Sequence, residues 1–252
     1  MIPQIFSLTH NDITLEYSPE RWGLITQIYF WKTPMLFFNE ETFYDLTKNV
    51  RWWIPIMFPN AGLSIQNQEF SLKQHGFARN REFSHQVFEN SLEMTLISDE
   101  NTKELFPYDF ALTLRAEILE KSVQISLIIK NTGYKNMPIA PWLHPYFLIP
   151  ENQKDRFFLE KNWEKIEDYK KYEWETIYTT NPWIFQAYLW ENILELDYGA
   201  EFQKLWLRSE LGKDFLCIEP TFWDEWALID DPCIVHPNQE KIFSMILKKS
   251  QN

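Results

Sequence analysis

Between Leu92 and Ile129 apolar side chains recur at every second position. Leu92, Met94 and Leu96 form one set, Phe110, Leu112, Leu114, Ala116 and Ile118 a second, and Val123, Ile125, Leu127 and Ile129 a third. A period of two sends alternate side chains to opposite faces of a pleated strand. An amphipathic helix needs a period of 3.6. The short polar joint at Glu120-Lys121 separates the second and third sets and predicts an antiparallel hairpin. No stretch of comparable length repeats at the helical period, so the chain is predicted to be all-β.

The flanking sequence extends this reading. Residues 5–8, 13–17 and 23–30 are strand-like, with turns at Asn11-Asp12 and Ser18-Pro19. Residues 194–197, 202–208 and 215–219 read as further strands, and Phe243, Met245 and Leu247 alternate in a last one. Residues 40–47 and 222–229 each suit one turn of helix. Residues 151–182 interleave Lys and Glu with aromatics and predict an excursion carrying a short helix. Many short strands with turn signals every ~8–12 residues indicate a sandwich. Aromatic residues make up 17% of the chain, which suits strands and also suits stacking on the apolar faces of pyranoses. No compositional break divides the chain, so a single domain over residues 1–252 is expected.

The formal net charge of −12 argues against nucleic acid as a partner, because phosphate neutralisation needs basic stripes. An anionic substrate would need a local basic pocket set against this global field. Cys217 and Cys233 lie in no CxxC or other metal-binding spacing, and two free thiols fit a reducing cytoplasm. The first residues have no basic, apolar leader pattern, and no apolar run reaches the ~18 residues of a membrane span. The expectation is a cytoplasmic protein, monomeric or homodimeric, with no membrane association.

Residues 51–81 have a different character. Ile54-Pro55-Ile56-Met57-Phe58-Pro59 is followed by Ala61-Gly62 and then by Gln74-His75-Gly76-Phe77-Ala78-Arg79. Prolines and glycines here build a rigid loop that presents polar heads. Two later segments add to the set: Ala140-Pro141-Trp142-Leu143-His144-Pro145-Tyr146-Phe147 and Cys217-Ile218-Glu219-Pro220. In order and spacing these motifs resemble the aldose 1-epimerase (galactose mutarotase-like) superfamily, and most of all its glucose-6-phosphate 1-epimerase branch. The resemblance implies a large antiparallel β-supersandwich. It also implies an enzyme that interconverts the α and β anomers of a hexose or hexose 6-phosphate, a small-molecule sugar or sugar phosphate.

Mutarotation opens the sugar ring when a base takes the C1 hydroxyl proton and an acid protonates the ring oxygen. Rotation and closure on the other face complete it. One base and one acid suffice, and no metal or cofactor is expected. The resemblance implies Glu219 as the base and His144 as the acid. From the residues alone, Glu219 also reads as an exposed strand-end carboxylate and His144 as a core histidine. An apolar strand before Glu219 would raise its basicity, and histidine can exchange a proton near neutrality. The resemblance implies that His75 hydrogen-bonds the sugar near the ring oxygen, with Gly76 allowing close backbone approach. Gln74 beside it is a candidate for sugar binding or for packing. Arg79 and Arg51 match motif arginines associated with phosphate, since an arginine pair recognises phosphate bidentately. Arg79 is equally a candidate for a structural ion pair. Asp197 is a candidate for holding sugar hydroxyls. The pattern departs at Trp52-Trp53, where the family usually carries two glycines. Tryptophan takes a positive φ only at a cost, which puts the phosphate assignment and the pocket's size in question. The rival reading is a non-catalytic carbohydrate-binding or regulatory module on the same fold. The histidines are too scattered to suggest a metal site.

Overall fold

The computed structural model describes residues 2–49, 52–156, 159–161, 164–166, 176–179, 184–189 and 192–250. The alternating segments form the spine of a nine-stranded antiparallel sheet. Strand Phe110–Ile118 pairs with Ser122–Asn131 through the Glu120-Lys121 turn, and Ser122–Asn131 pairs with Glu240–Ser250. Leu114, Leu127 and Phe243 face one another across this spine and are fully or almost fully buried. Ser91–Ile97 and Ser84–Val87 extend the sheet to one edge. Asn192–Tyr198, Ile184–Leu189, Leu159–Lys161 and Glu164–Ile166 extend it to the other.

A second, six-stranded sheet is built around strand Phe215–Thr221, every residue of which is buried. Lys204–Arg208 pairs along one side of it, and Trp142–Leu143 and Tyr146–Leu148 along the other. Alternation assigns its two faces. Leu216 and Ile218, with Leu205 and Leu207 from the neighbouring strand, join the same apolar cluster as Leu112, Leu127 and Met245 of the large sheet. Cys217, Glu219 and Thr221 therefore point away from that shared core. The two sheets pack as a sandwich, as periodicity leads one to expect. An N-terminal four-stranded sheet, Phe6–His10, Ile13–Ser18, Leu24–Phe30 and Thr33–Pro34, adds Leu15 and Ile28 to the core.

The short helix expected within 151–182 is present as a 3-10 helix, Glu151–Arg156, and the described residues after it continue as the short strands Leu159–Lys161, Glu164–Ile166 and Thr176–Thr179, which were not expected. Ladder partners offered by a sheet edge override the helical propensity of Lys and Glu. The rest of that stretch lies outside the described residues. The backbone cost expected at Trp52-Trp53 falls on Trp53, which adopts a left-handed backbone, with φ 73°. Such strain costs about 1–3 kcal/mol. Full burial of the indole against Phe38 and Phe43 offsets it. The helical turns near residues 40 and 227 are present as Glu40–Tyr44, capped by Asn39, and Ala227–Asp230. Among the described residues no helix is long and apolar enough to cross a membrane.

The spine carries the stability of the sandwich. Leu127→Ala, at the centre of three paired strands, is expected to cost about 2–5 kcal/mol. Urea unfolding should show a lower midpoint with an unchanged slope.

Candidate active site

The register of the six-stranded sheet brings distant motifs together. Trp142 pairs with Thr221 and Tyr146 with Cys217, so the position facing Glu219 between them is His144. Pro145 has no N–H to give to the ladder, and the pairing breaks there while the register carries through. On the other side Trp206 faces Glu219 and Arg208 faces Cys217. One sheet face thus carries His144, Glu219 and Trp206 in a row, with Tyr146, Cys217 and Arg208 in the next row.

His144 Nε2 lies 3.3 Å from Glu219 Oε1 and 3.4 Å from the Tyr146 hydroxyl. His144 is 5% exposed and Glu219 2%. The imidazole is one layer of an aromatic stack. The Tyr146 ring is parallel to it within 2° at 4.6 Å, and Trp142 lies within 14° on the other side at 6.1 Å. Trp142 in turn packs on Trp206, with centroids 5.2 Å apart. The indole nitrogens of Trp142 and Trp206 are buried and have no hydrogen-bond partner among the described residues. Burial, followed by the charges of His75, Arg208 and Arg79, pushes the His144 imidazole well below its usual range, so it rests neutral. Burial, with the charges of Cys217 and Glu219, drives the Tyr146 hydroxyl well above its own.

His75 arrives from the loop after Ser71–Leu72. Its ring stands perpendicular to His144 at 6.3 Å and to Trp142 at 6.0 Å. The ring is held by Nδ1 against the carbonyl of Ala61, and the backbone N–H donates to Gly62 O at 3.0 Å. His75 itself sits at φ 67° and Gly76 at φ 68°. A Cβ on Gly76 would lie 2.0 Å from Phe58 O, so the loop's close approach requires glycine. Burial, with the charge of Arg79 next, lowers the His75 pKa to about 4.

Among the other sequence-derived candidates, Arg79 lies in the 3-10 helix Ala78–Asn80. Its Nη2 donates to the Gln74 carbonyl at 3.4 Å, and its charge reaches both histidines. Gln74 is exposed and contributes its backbone, its N–H going to Ser64 Oγ. Arg51 lies outside the described residues. Asp197 is not brought into the site. It belongs to the large sheet, where its neighbour Tyr198 faces the core and donates to Ile218 O at 3.5 Å. Alternation turns Asp197 to the opposite, outer face. Arg208 was not singled out from the sequence. It sits half-buried at the rim, with Nη2 on Glu210 Oε1 at 2.9 Å, and its charge reaches His144, Glu219 and Tyr146. The readable signal was parity, since Trp206 and Arg208 are two apart on a strand beside the Glu219 strand. Trp52 does not face the site. It packs edge-on against Phe37, Tyr146 and Phe215 and so buttresses the stack from behind.

The aldose 1-epimerase family model matches residues 58–182, a span that holds His75 and His144. The structure resembles the Slr1438 protein of Synechocystis sp. PCC 6803, with TM-score 0.88 and 26% identity over 99% of this chain and 96% of that one. It also resembles a galactose mutarotase-related enzyme from Lactobacillus acidophilus, with TM-score 0.80 and 15% identity over 98% of each chain. A galactose mutarotase-like protein from Lactobacillus casei ATCC 334 gives TM-score 0.81 and 16% identity over 98% of this chain and 100% of that one. No curated protein matches the sequence significantly. The fold is the galactose mutarotase-like β-sandwich. Fold and family match together support the aldose 1-epimerase superfamily and, in general terms, an epimerase or mutarotase role.

The lowered pKa of His75 has a thermodynamic consequence. The unfolded chain binds this proton near the ordinary histidine value of about 6.5 and the folded chain only at about 4. Between those values the unfolded state holds more protons. Stability is therefore complete above the window and falls as pH drops through it, by at most about 1.4 kcal/mol per pH unit for this group. Urea midpoints measured across the window should show His75→Gln with a shallower acid loss than the native chain.

Proposed function

We propose that the chain is a hexose 1-epimerase acting on a sugar that carries an exocyclic anion, most simply a hexose 6-phosphate. The observation that carries this reading is the facing pair His144 and Glu219, 3.3 Å apart and buried beneath aromatic rings. Two donors at the same place, the indole N–H groups of Trp142 and Trp206, are left for a ligand to satisfy. A pyranose has the apolar face and the hydroxyls that such a surface accepts.

In this reading Glu219 takes the proton from the anomeric hydroxyl while His144 Nε2 protonates the ring oxygen. After rotation about C1–C2, closure on the other face returns both protons, so none is gained or lost over the cycle. His144 rests neutral, and to act as the acid it must enter the cycle with a second proton. The carboxylate of Glu219 is the partner that stabilises that imidazolium. Both groups are held by strand register and stacking, so little reorganisation accompanies reaction. His75, neutral and fixed through Nδ1, offers its other ring nitrogen to the sugar. Arg79 and Arg208 supply positive charge at the rim, where the net field of the protein is negative.

Two measurements check this. Glu219→Gln and His144→Gln should each lower the rate of anomeric exchange about 10²–10⁴-fold with the fold retained. Because His144 rests neutral, kcat/KM should climb as pH falls through the neutral range, and His144→Gln should flatten that climb. Full activity in a folded Glu219→Gln variant would exclude the mechanism. For the substrate, exchange spectroscopy on glucose, galactose and glucose 6-phosphate should favour the phosphorylated sugar. Arg208→Ala should raise KM for it about 10–100-fold, the worth of one charged hydrogen bond, and leave the free sugars unchanged. Preference for a free sugar would keep the acid–base pair and remove the anion.

A further inference from the structure

A second concave site lies where three hairpin turns converge, and it shares no residue with the site just described. It is a cavity of about 350 Å³, within the size range of small-ligand pockets. Asn11 and Asp12 come from the first hairpin of the N-terminal sheet, and Trp31 from the turn after Leu24–Phe30. Glu120 and Lys121 come from the spine hairpin of the large sheet. Lys249, near the end of the last strand, closes one side.

Trp31 is the anomaly. It is the first residue of a two-residue turn between the paired Phe30 and Thr33, and its φ is 58°. That position favours Gly or Asn, and a bulky side chain there is strained. Trp53 bears similar strain but is fully buried, so packing accounts for it. Trp31 is 48% exposed, so core packing does not. The turn is fixed by a 2.6 Å hydrogen bond from Trp31 N–H to Asp12 O, which locks the indole beside the cavity. Lys249 sits 5.5 Å over the indole and donates to Thr33 Oγ1 at 3.1 Å.

The chemistry of the lining narrows the ligand. Two ammonium groups, Lys121 and Lys249, are balanced by two carboxylates, Asp12 and Glu120. In a protein of net charge −12 this is a locally neutral patch, suited neither to a free anion nor to a cation. It is rich in donors and acceptors, with the amide of Asn11 added, around a flat aromatic surface floored by the buried Ile13 and Phe30. A neutral ligand with one apolar face and a rim of hydroxyls fits that set. The geometry points to a second, non-catalytic carbohydrate site, in which a neutral pyranose stacks on Trp31 and hydrogen-bonds to Asp12, Glu120 and Asn11.

The test is an NMR titration of the indole N–H signals of the full chain with glucose, galactose and maltose, with glycerol as a control. The Trp31 signal is identified by its loss in Trp31→Gly, a substitution its backbone accepts. It should shift saturably with at least one sugar and not with glycerol, and should do so equally in Glu219→Gln, which separates this site from the one proposed for catalysis. Glu120→Ala should weaken that binding about tenfold or more, while Trp31→Gly leaves the anomeric exchange rate unchanged. A Trp31 signal that no sugar moves, or that glycerol moves equally, would overturn the proposal.

Discussion

A carboxylate in the middle of a wholly buried strand is the constraint around which this structure is arranged. Every residue from Phe215 to Thr221 is out of water, and Glu219 is among them. An ionisable group in such a place must be given partners, or burial becomes prohibitively costly. The sheet meets this need with strand register. The segment from Trp142 to Leu148 runs alongside in a phase that sets His144 opposite Glu219, and the strand on the other side sets Trp206 there. The same register that closes the apolar core on one face of the sheet assembles titratable groups on the other.

The density of aromatic side chains follows from the same requirement. Beyond its polar contacts at Nε2, the imidazole is held in orientation by flat rings. Tyr146 and Trp142 lie nearly parallel to it on either side. Behind Tyr146 stand Trp52 and Phe215, and beside Trp52 the chain tolerates a left-handed tryptophan at Trp53 so that a second cluster can close. The double tryptophan that departs from the family's double glycine is thus absorbed into the support of the histidine stack, and its bulk goes to the interior.

Much of the sandwich was legible because alternation is a local signal: Phe110 to Ile129 announces its own strands and their turn. The candidate site was legible where residues sit in distinctive surroundings. His75 lies beside a glycine that the close approach to Phe58 requires, and His144 and Glu219 each precede a proline, of which Pro145 interrupts a ladder. Arg208 escaped notice because nothing next to it in sequence is unusual; only pairing with Cys217 brings it to the rim. Asp197 failed for the complementary reason. Its type was right for holding hydroxyls, but a shift of one position along a strand exchanges the two faces of a sheet, and Tyr198 occupies the inward phase. In 151–182 the interleaved charges made a short helix legible but not the strands that follow it, because the partners that make those strands extended lie far away in the chain.

The register that unites His144 with Glu219 joins segments about seventy residues apart, and neither segment owns the site. Contacts of such long sequence separation form only after the loop-closure cost between them has been met. No fragment, single hairpin or partly paired intermediate can therefore hold the pair at 3.3 Å. The site is in effect a coincidence detector for the completed sheet. A population caught with the large sheet formed and the smaller one open would look native by its strand content and yet lack the pair altogether.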